Sequence, residues 1–401
     1  MSISLSKYFI SIGAKRLSSV ETDPSASNQH ELNGIAGFKQ IFGLDKIEFK
    51  AKFIFLPDDE EKILEVEGDL TWYDARENHP TRSEHRLYYS DNQVIPQSNP
   101  GDLIIVARTS EKTAVVFVAP NGSTSEKQLL WLFDIDEVEN KFIVKDLRTE
   151  KSDIGFAGRY IISSLGIEIE ETAPNYLEDL IIRFGNRFPS TQEFSEYARS
   201  TIKDASATEN PDETLLAWLE REELLFKTLE TNIVKEKLKK GFGQDGTDVD
   251  EFINFSLSVQ NRRKSRAGHS FENHLAVIFK QCKVLYSKGA VTERNNKPDF
   301  LFPGHKYYHD DAFDINLLTM LGVKTTAKDR WRQVLSEADK ISHKHLITLE
   351  PSISKNQTDE MIAQKLQLVI PRSIIPTYLK GQQGQIISLA DFIQCVSKRQ
   401  A

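Results

Sequence analysis

The apolar positions along the chain change period near residue 170. Before it, short runs alternate or cluster β-branched and aromatic residues between polar turns: IEFKAKFIFL (47–56), DLIIVART (102–109), TAVVFVAP (113–120) and KFIVKDL (141–147). Successive side chains of a strand point to opposite faces, so these runs predict strands, and several at short spacing predict a barrel or sandwich rather than a βαβ sheet. After it the spacing becomes helical. Pro189-Ser190-Thr191 offers an N-cap before TQEFSEYARSTI, and Asn210-Pro211 offers a second start. From Pro211 to Lys240, Leu215, Trp218, Leu219, Leu225 and Leu229 recur on one helical face, a stripe that reads as core or dimer packing. A third helix is expected from about Ser270 to Cys282.

Further on, the apolar pieces DFLF (299–302) and LGVKTT (321–326) read as strands, followed by a helix over KDRWRQVLSEADKI. HLITL (345–349), LQLVIP (366–371) and GQIISLADFI (384–393) supply further strands and a last helix. The pattern predicts a multidomain α+β chain: a β-rich domain over 1–170, a polar, proline-containing hinge over 171–182, and a mixed α/β domain with extra helices over 183–401.

Composition changes this picture little. With 39% hydrophobic and 27% charged residues the chain is ordinary globular protein, and its 401 residues suffice for two or three domains. No apolar run is long enough to span a bilayer, and MSISLSKYFISIGAKRLSS lacks the layout of a secretory signal. Cys282 and Cys395, the only cysteines, are too few for a disulfide framework or a cysteine zinc site, so a reducing cytoplasm is the expected setting.

Charge changes it more. A net charge of -8 argues against a polyanionic partner, but the distribution is uneven. Residues 58–69 hold seven acids and one lysine, expected as a solvated loop, whereas residues 261–294 hold eight Lys or Arg against Glu272 and Glu293. A second cationic cluster follows at Lys324, Lys328, Arg330 and Arg332. Local basic patches on an acidic protein suit DNA, though on charge alone wet surface is the better account of them.

Phosphodiester hydrolysis calls for carboxylates that hold magnesium and a lysine near the attacking water. The sought pattern is Pro-Asp opening one strand and acid-x-Lys on the next. Pro298-Asp299 opens DFLF, and Lys324 lies within LGVKTT, but position 322 is glycine where the acid would stand. On the following helix Arg330, Gln333 and Glu337 share a face, so Glu337 is expected to point back at the position that Gly322 leaves empty. A solvated face with Lys–Glu pairs explains that spacing as well. Adjacent Asp329 and Arg330 would suit readout of G·C pairs. NRRKSRAG (261–268), with Arg262, Arg263, Lys264 and Arg266, reads as a basic segment gripping phosphates or base edges ahead of Glu272, or as a basic surface loop.

The blocks SVQNRRKSRAGHSFENHL, NKPDFLFP, YHD (308–310), MLGVKTTAKDRWRQ and LSEADKI resemble, from Gly241 to Leu349, the catalytic domain of the EcoRII family of restriction endonucleases. The resemblance implies a homodimeric restriction-endonuclease-like core of the PD-(D/E)xK type, with the second acid relocated to the next helix. By motif, Glu272, Asp299, Lys324 and Glu337 fall on the active-site positions. The acids Asp299, Glu272 and Glu337 would be the Mg2+ ligands, and Lys328 lies beside them. Asp329, Arg330 and Arg332 fall on the segment that reads CC·GG pairs. The family cuts double-stranded CCWGG ahead of the first cytosine, extrudes the central A·T pair, and works beside a cognate cytosine methyltransferase.

More loosely, KRLSS (15–19), SNQHELNG and TRSEHRLYY (81–89) resemble the arms of that family's effector-binding β-pseudobarrel, although WYDARENHP (72–80) is an addition here. By that resemblance Lys15, Arg16, His30, Arg76, Arg82, Glu84 and Arg86 are candidate DNA contacts. The layout implies type IIE behaviour, in which a second site bound by the N-terminal domain stimulates cutting. The competing reading is a sequence-specific DNA-binding regulator without cleavage activity.

Overall fold

The computed structural model describes residues 4–22, 30–150, 153–167, 173–328 and 330–401. It divides into two compact units, Met1–Ile161 with Ser352–Asn356, and Ile162–Pro351 with Gln357–Ala401.

The first unit is built on strands β1 (Ser11–Arg16), β2 (Glu31–Leu32), β3 (Ile47–Phe55), β4 (Leu64–Asp74), β5 (His85–Tyr89), β6 (Leu103–Arg108), β7 (Thr113–Ala119) and β8 (Ile143–Asp146). They form one sheet in the order β2-β5-β4-β3-β7-β6-β1-β8, antiparallel except for the parallel pair β3–β7. The sheet curls until its edges approach, and the Phe142 N–H, just before β8, donates to the Gly34 carbonyl, just after β2, at 3.0 Å. Inside the curl sit alternate residues of each strand: Phe49, Phe53, Leu70, Trp72, Leu87 and Val116. Helix Thr124–Leu132 covers part of the outer face, where Phe9 packs edge-on against Phe133, centroids 5.2 Å apart.

All the sequence-predicted strands of this region form. The acidic stretch 58–69 needs correction, because its second half belongs to β4. Glu65, Glu67 and Asp69 occupy its exposed positions while Leu64, Val66 and Gly68 turn inward, and Lys50 pairs with Asp69 at 2.7 Å. Acids at every second position are a half-buried strand, not a loop.

In the second unit, helices Pro174–Phe184, Thr191–Ser200 and Pro211–Lys240 pack around Leu180, Phe194, Tyr197, Leu225, Phe226 and Leu229. Ser190 closes a capping box with Glu193, as its position ahead of the apolar run predicts. The expected hinge over 171–182 is helical from residue 174 onward, as part of helix Pro174–Phe184, and Leu180 is wholly buried. The expected helix at Ser270 starts much earlier and runs Val249–Gln281, because Asp248 caps it by accepting the Glu251 N–H at 2.9 Å.

Against that helix lies a second sheet, of β9 (Ser287–Lys288), β10 (Phe300–Phe302), β11 (Thr319–Lys324), β12 (Lys344–Thr348) and β13 (Leu366–Val369), in the order β13-β12-β11-β10-β9. Strands β11, β12 and β13 are parallel, and β10 runs antiparallel to β9 and β11. Phe279 of the long helix stands edge-on to Phe300 and Phe302, at 5.2 and 5.1 Å, while helix Leu389–Gln400 brings Phe392 to 5.6 Å from Phe302. This packing fixes the sheet whose strand ends carry the candidate chemistry.

Candidate active site

Antiparallel pairing sets Phe300 opposite Leu321, so Asp299, at the mouth of β10, meets the end of β11. Its Oδ2 accepts the Val323 N–H at 2.6 Å and lies 3.8 Å from the Lys324 ammonium. Burial pushes the Asp299 carboxyl above the usual range, and the charge of Glu272 adds to this, while Lys324 and the Val323 N–H oppose it.

Glu337 reaches the same place by an unexpected route. The helix foreseen over 328–341 is confined to Trp331–Val334, so Glu337 stands on a turn closed by Ala338 in a left-handed conformation, φ 49°. Helix and strand are in close contact at Gly322, where a Cβ would lie 2.7 Å from Val334 Cγ2. Position 322 therefore has no room for the acid the motif would place there, and the turn beyond Val334 supplies Glu337 instead. Burial first, then the charge of Asp299, pushes Glu337 up to about 7, with Lys324 and Lys344 pulling the other way. Its Oε2 is buried with no hydrogen-bond partner. A buried carboxylate oxygen left unpaired costs free energy unless a proton or a cation arrives.

The third acid, Glu272, projects from the long helix toward Lys288 of β9, 3.1 Å away. Two residues on, His274 turns away to Glu222 at 3.0 Å, inside a buried cluster that also holds Arg266. Among the described residues no three His, Cys, Asp or Glu side chains are gathered in an ion-holding group. Asp299 and Glu337 alone still fit magnesium, which typically takes one or two carboxylates and completes its shell with substrate phosphate and water.

The loop after Lys324 is organised by a residue the sequence reading missed. Glu350 is fully buried and accepts the N–H groups of Ala327 and Lys328, at 2.5 and 3.0 Å. An acid ending the apolar run HLITLE was the available signal. Lys328 itself is 7% exposed at φ 23°, and Asp329 lies outside the described residues. Arg330 is exposed; Arg332 lies over the Trp331 ring at 4.5 Å and reaches Glu360 at 2.7 Å.

The segment 261–268 is helical rather than a loop. Arg262, Arg263 and Lys264 face solvent, with Arg263 paired to Glu230 at 2.5 Å, but Arg266 is 6% exposed and bound to Glu222 and Glu223. Its guanidinium braces two helices and is not presented to a ligand.

In the first unit, Lys15 is likewise no surface contact: it is wholly buried, with its ammonium on both oxygens of Glu21 at 2.5 and 2.6 Å. Arg16 pairs with Glu126. Arg76, Glu84 and Arg86 form a partly exposed chain of ion pairs, 2.6 and 2.9 Å, that continues to Glu31 at 3.0 Å. His30 stacks on Tyr89 at 5.4 Å, and Arg82 is exposed.

Residues 226–393 match the family model described as EcoRII C terminal. Over 229 residues the chain is 42% identical to the type II restriction enzyme EcoRII of Escherichia coli, a match that covers 57% of this chain and 55% of that protein. The chain thus spans about half the length of this curated relative. Among solved structures, metal-depleted Ecl18kI in complex with uncleaved, modified DNA aligns with TM-score 0.45 at 18% identity, covering 57% of this chain and 85% of that one. The PspGI–substrate DNA complex aligns with TM-score 0.44 at 16% identity, over 53% and 93%. Over residues 226–393 the chain is therefore similar to the EcoRII C-terminal domain, and its likeness is to the EcoRII-type restriction endonucleases.

Proposed function

We propose that the chain is a type II restriction endonuclease that hydrolyses double-stranded DNA at a short specific sequence, using magnesium. The observation that carries the reading is the meeting of Asp299, Lys324 and the unpartnered oxygen of Glu337 at the ends of β10 and β11. An amine held among acids on strand ends is what phosphate-ester chemistry needs and what a packing role does not require. Asp299 and Glu337 would hold the cation, with Glu272 adjacent; when bound, the cation supplies Lewis-acid stabilisation to the phosphate. Lys324 presents a fixed positive charge where negative charge develops in the transition state. The Val323 N–H keeps Asp299 from rotating away. Exposed Arg330 and Arg332, just beyond the loop pinned by Glu350, would read base edges, and Arg262, Arg263 and Lys264 would meet phosphates.

From the relationship to EcoRII-type enzymes we extend the proposal to CCWGG as the site, 5′-phosphate ends, a homodimer with one active site per strand, and a cognate cytosine methyltransferase. The first unit, through Arg16, His30, Arg76, Arg82, Glu84 and Arg86, would bind a second copy of the site and stimulate cutting.

Digestion of unmethylated plasmid with magnesium, followed by mapping of the ends, tests this directly. Ends at one motif are expected; scattered ends would point to another kind of nuclease, and binding without cutting to a regulator. Lys324→Ala should lower the cleavage rate by about a hundred- to thousandfold while leaving DNA affinity nearly unchanged. Adding a duplex that carries the site should speed cutting of a one-site plasmid if the second-site role holds.

A further inference from the structure

We infer that Glu293 and Asn296 are positioning residues that fix the turn carrying Glu337 against Asp299, so that one short segment, 293–299, sets both acids of the proposed magnesium site. The inference rests on the nuclease reading and names residues that the motif does not contain.

Around Glu337 the chain is not held by regular structure, since the helix ends at Val334. It is gripped from the side. The Asn296 Nδ2 donates to the Ser336 carbonyl at 2.6 Å, on one flank of Glu337. On the other flank Glu293 Oε2 accepts the Asp339 N–H at 3.2 Å, and Arg294 pairs with the Asp339 carboxylate at 2.8 Å. Glu293 is itself oriented by the buried Tyr308, whose hydroxyl donates to the same Oε2 at 2.6 Å and accepts the Lys340 N–H at 3.2 Å. From the far side the Lys344 ammonium bonds the carbonyl oxygens of Glu337 and Ala338. The gripping segment adopts left-handed backbone at two non-glycine residues, Arg294 (φ 56°) and Asn295 (φ 60°), a conformation that brings the side chains of Glu293, Arg294 and Asn296 to the Glu337 turn only at some conformational cost.

The same segment continues through Pro298 into Asp299. A displacement of 293–296 would therefore move Asp299 and release Glu337 together, and the distance between the two carboxylates would change. Groups that orient metal ligands commonly change metal affinity by about ten- to a hundredfold when removed.

The test uses the full-length chain and compares Glu293→Ala, Glu293→Gln and Asn296→Ala with the unsubstituted protein. Mn2+ affinity is followed by electron paramagnetic resonance, alongside the magnesium dependence of cleavage, DNA affinity without metal, and the melting temperature. Glu293→Ala should weaken Mn2+ binding and raise the half-saturating magnesium concentration by about tenfold, with a smaller loss of rate at saturating magnesium and unchanged metal-free DNA affinity. Glu293→Gln keeps an acceptor for the Asp339 N–H and the Tyr308 hydroxyl and should recover most of the affinity. Asn296→Ala, which removes one hydrogen bond and leaves the core untouched, should show a smaller shift in the same direction, and it decides the matter if Glu293→Ala does not fold. Variants with unaltered Mn2+ affinity and magnesium dependence would overturn the inference, even with a lowered melting temperature. An unsubstituted chain that neither binds Mn2+ nor cuts would instead remove the nuclease reading beneath it.

Discussion

The two sheets treat buried charge in opposite ways. In the curled sheet of the first unit, Lys15 is sealed from solvent, and its partner Glu21 also accepts the N–H groups of Ser18 and Asn33 and the Ser18 hydroxyl. Both charges of this pair are partnered, the ammonium by two carboxylate oxygens and the carboxylate by three further donors. In the second sheet, Asp299 and Glu337 crowd one another, both carboxyls are pushed upward by burial, and one oxygen of Glu337 has no partner. A satisfied buried pair holds a fold in one arrangement; an unsatisfied one signals that something outside the chain completes it.

Removing a partner should therefore have opposite signs in the two places. Glu21→Ala leaves the Lys15 ammonium buried and unpaired, and should lower stability by about 3–5 kcal/mol in denaturant unfolding. Glu337→Gln should raise the stability of the metal-free protein while abolishing cleavage. Folding raises this carboxyl from 4.5 to about 7, so the native state holds the proton more tightly and loses stability as pH climbs through that window. The gain from glutamine should approach about 3 kcal/mol above pH 7 and vanish below pH 4.5. A loss of stability in Glu337→Gln at pH 8 would contradict the contrast.

His345 sharpens the comparison with the opposite slope. Burial lowers its imidazole from 6.5 to about 4, so the unfolded chain takes up the proton first, and stability falls as pH drops from 6.5 to about 4. That window should show a loss of about 3 kcal/mol, measured by melting against pH and absent in His345→Phe. The smallest effect is expected at Gly322. Its alanine variant forces Val334 to shift, costing about 1–3 kcal/mol, and Gly322→Asp should not restore cleavage to a Glu337→Ala chain, because the helix occupies the space.

Much of this was legible from local pattern. Apolar runs gave β3, β6, β7 and β8 of the first sheet and β10 to β13 of the second but not the other strands, and the capped apolar runs gave the helices at Thr191 and Pro211, because burial of one face sets those periods. Glu272, Asp299, Lys324 and Glu337 are assigned by motif, and the helix expected to deliver Glu337 is a single turn. Its apolar residues Trp331 and Val334 are buried, but beyond them the helical spacing does not continue, and Asn296 and Glu293 hydrogen-bond the 336–339 turn instead. Tertiary pairing also misled the reading of cations: Lys15 and Arg266 look like surface contacts in sequence and are buried struts, since their acid partners Glu21, Glu222 and Glu223 could be placed only by the fold. In β4 the density of acids masks the two-residue period beneath it.

Crystals of the full-length chain grown with duplex DNA and Mn2+ would test the central claim most directly, through the anomalous signal of the metal. The account predicts a peak bonded to an oxygen of Asp299 and to the oxygen of Glu337 that has no protein partner, beside the Lys324 ammonium. A peak held by other residues, or DNA bound with the ion away from those two carboxylates, would contradict it.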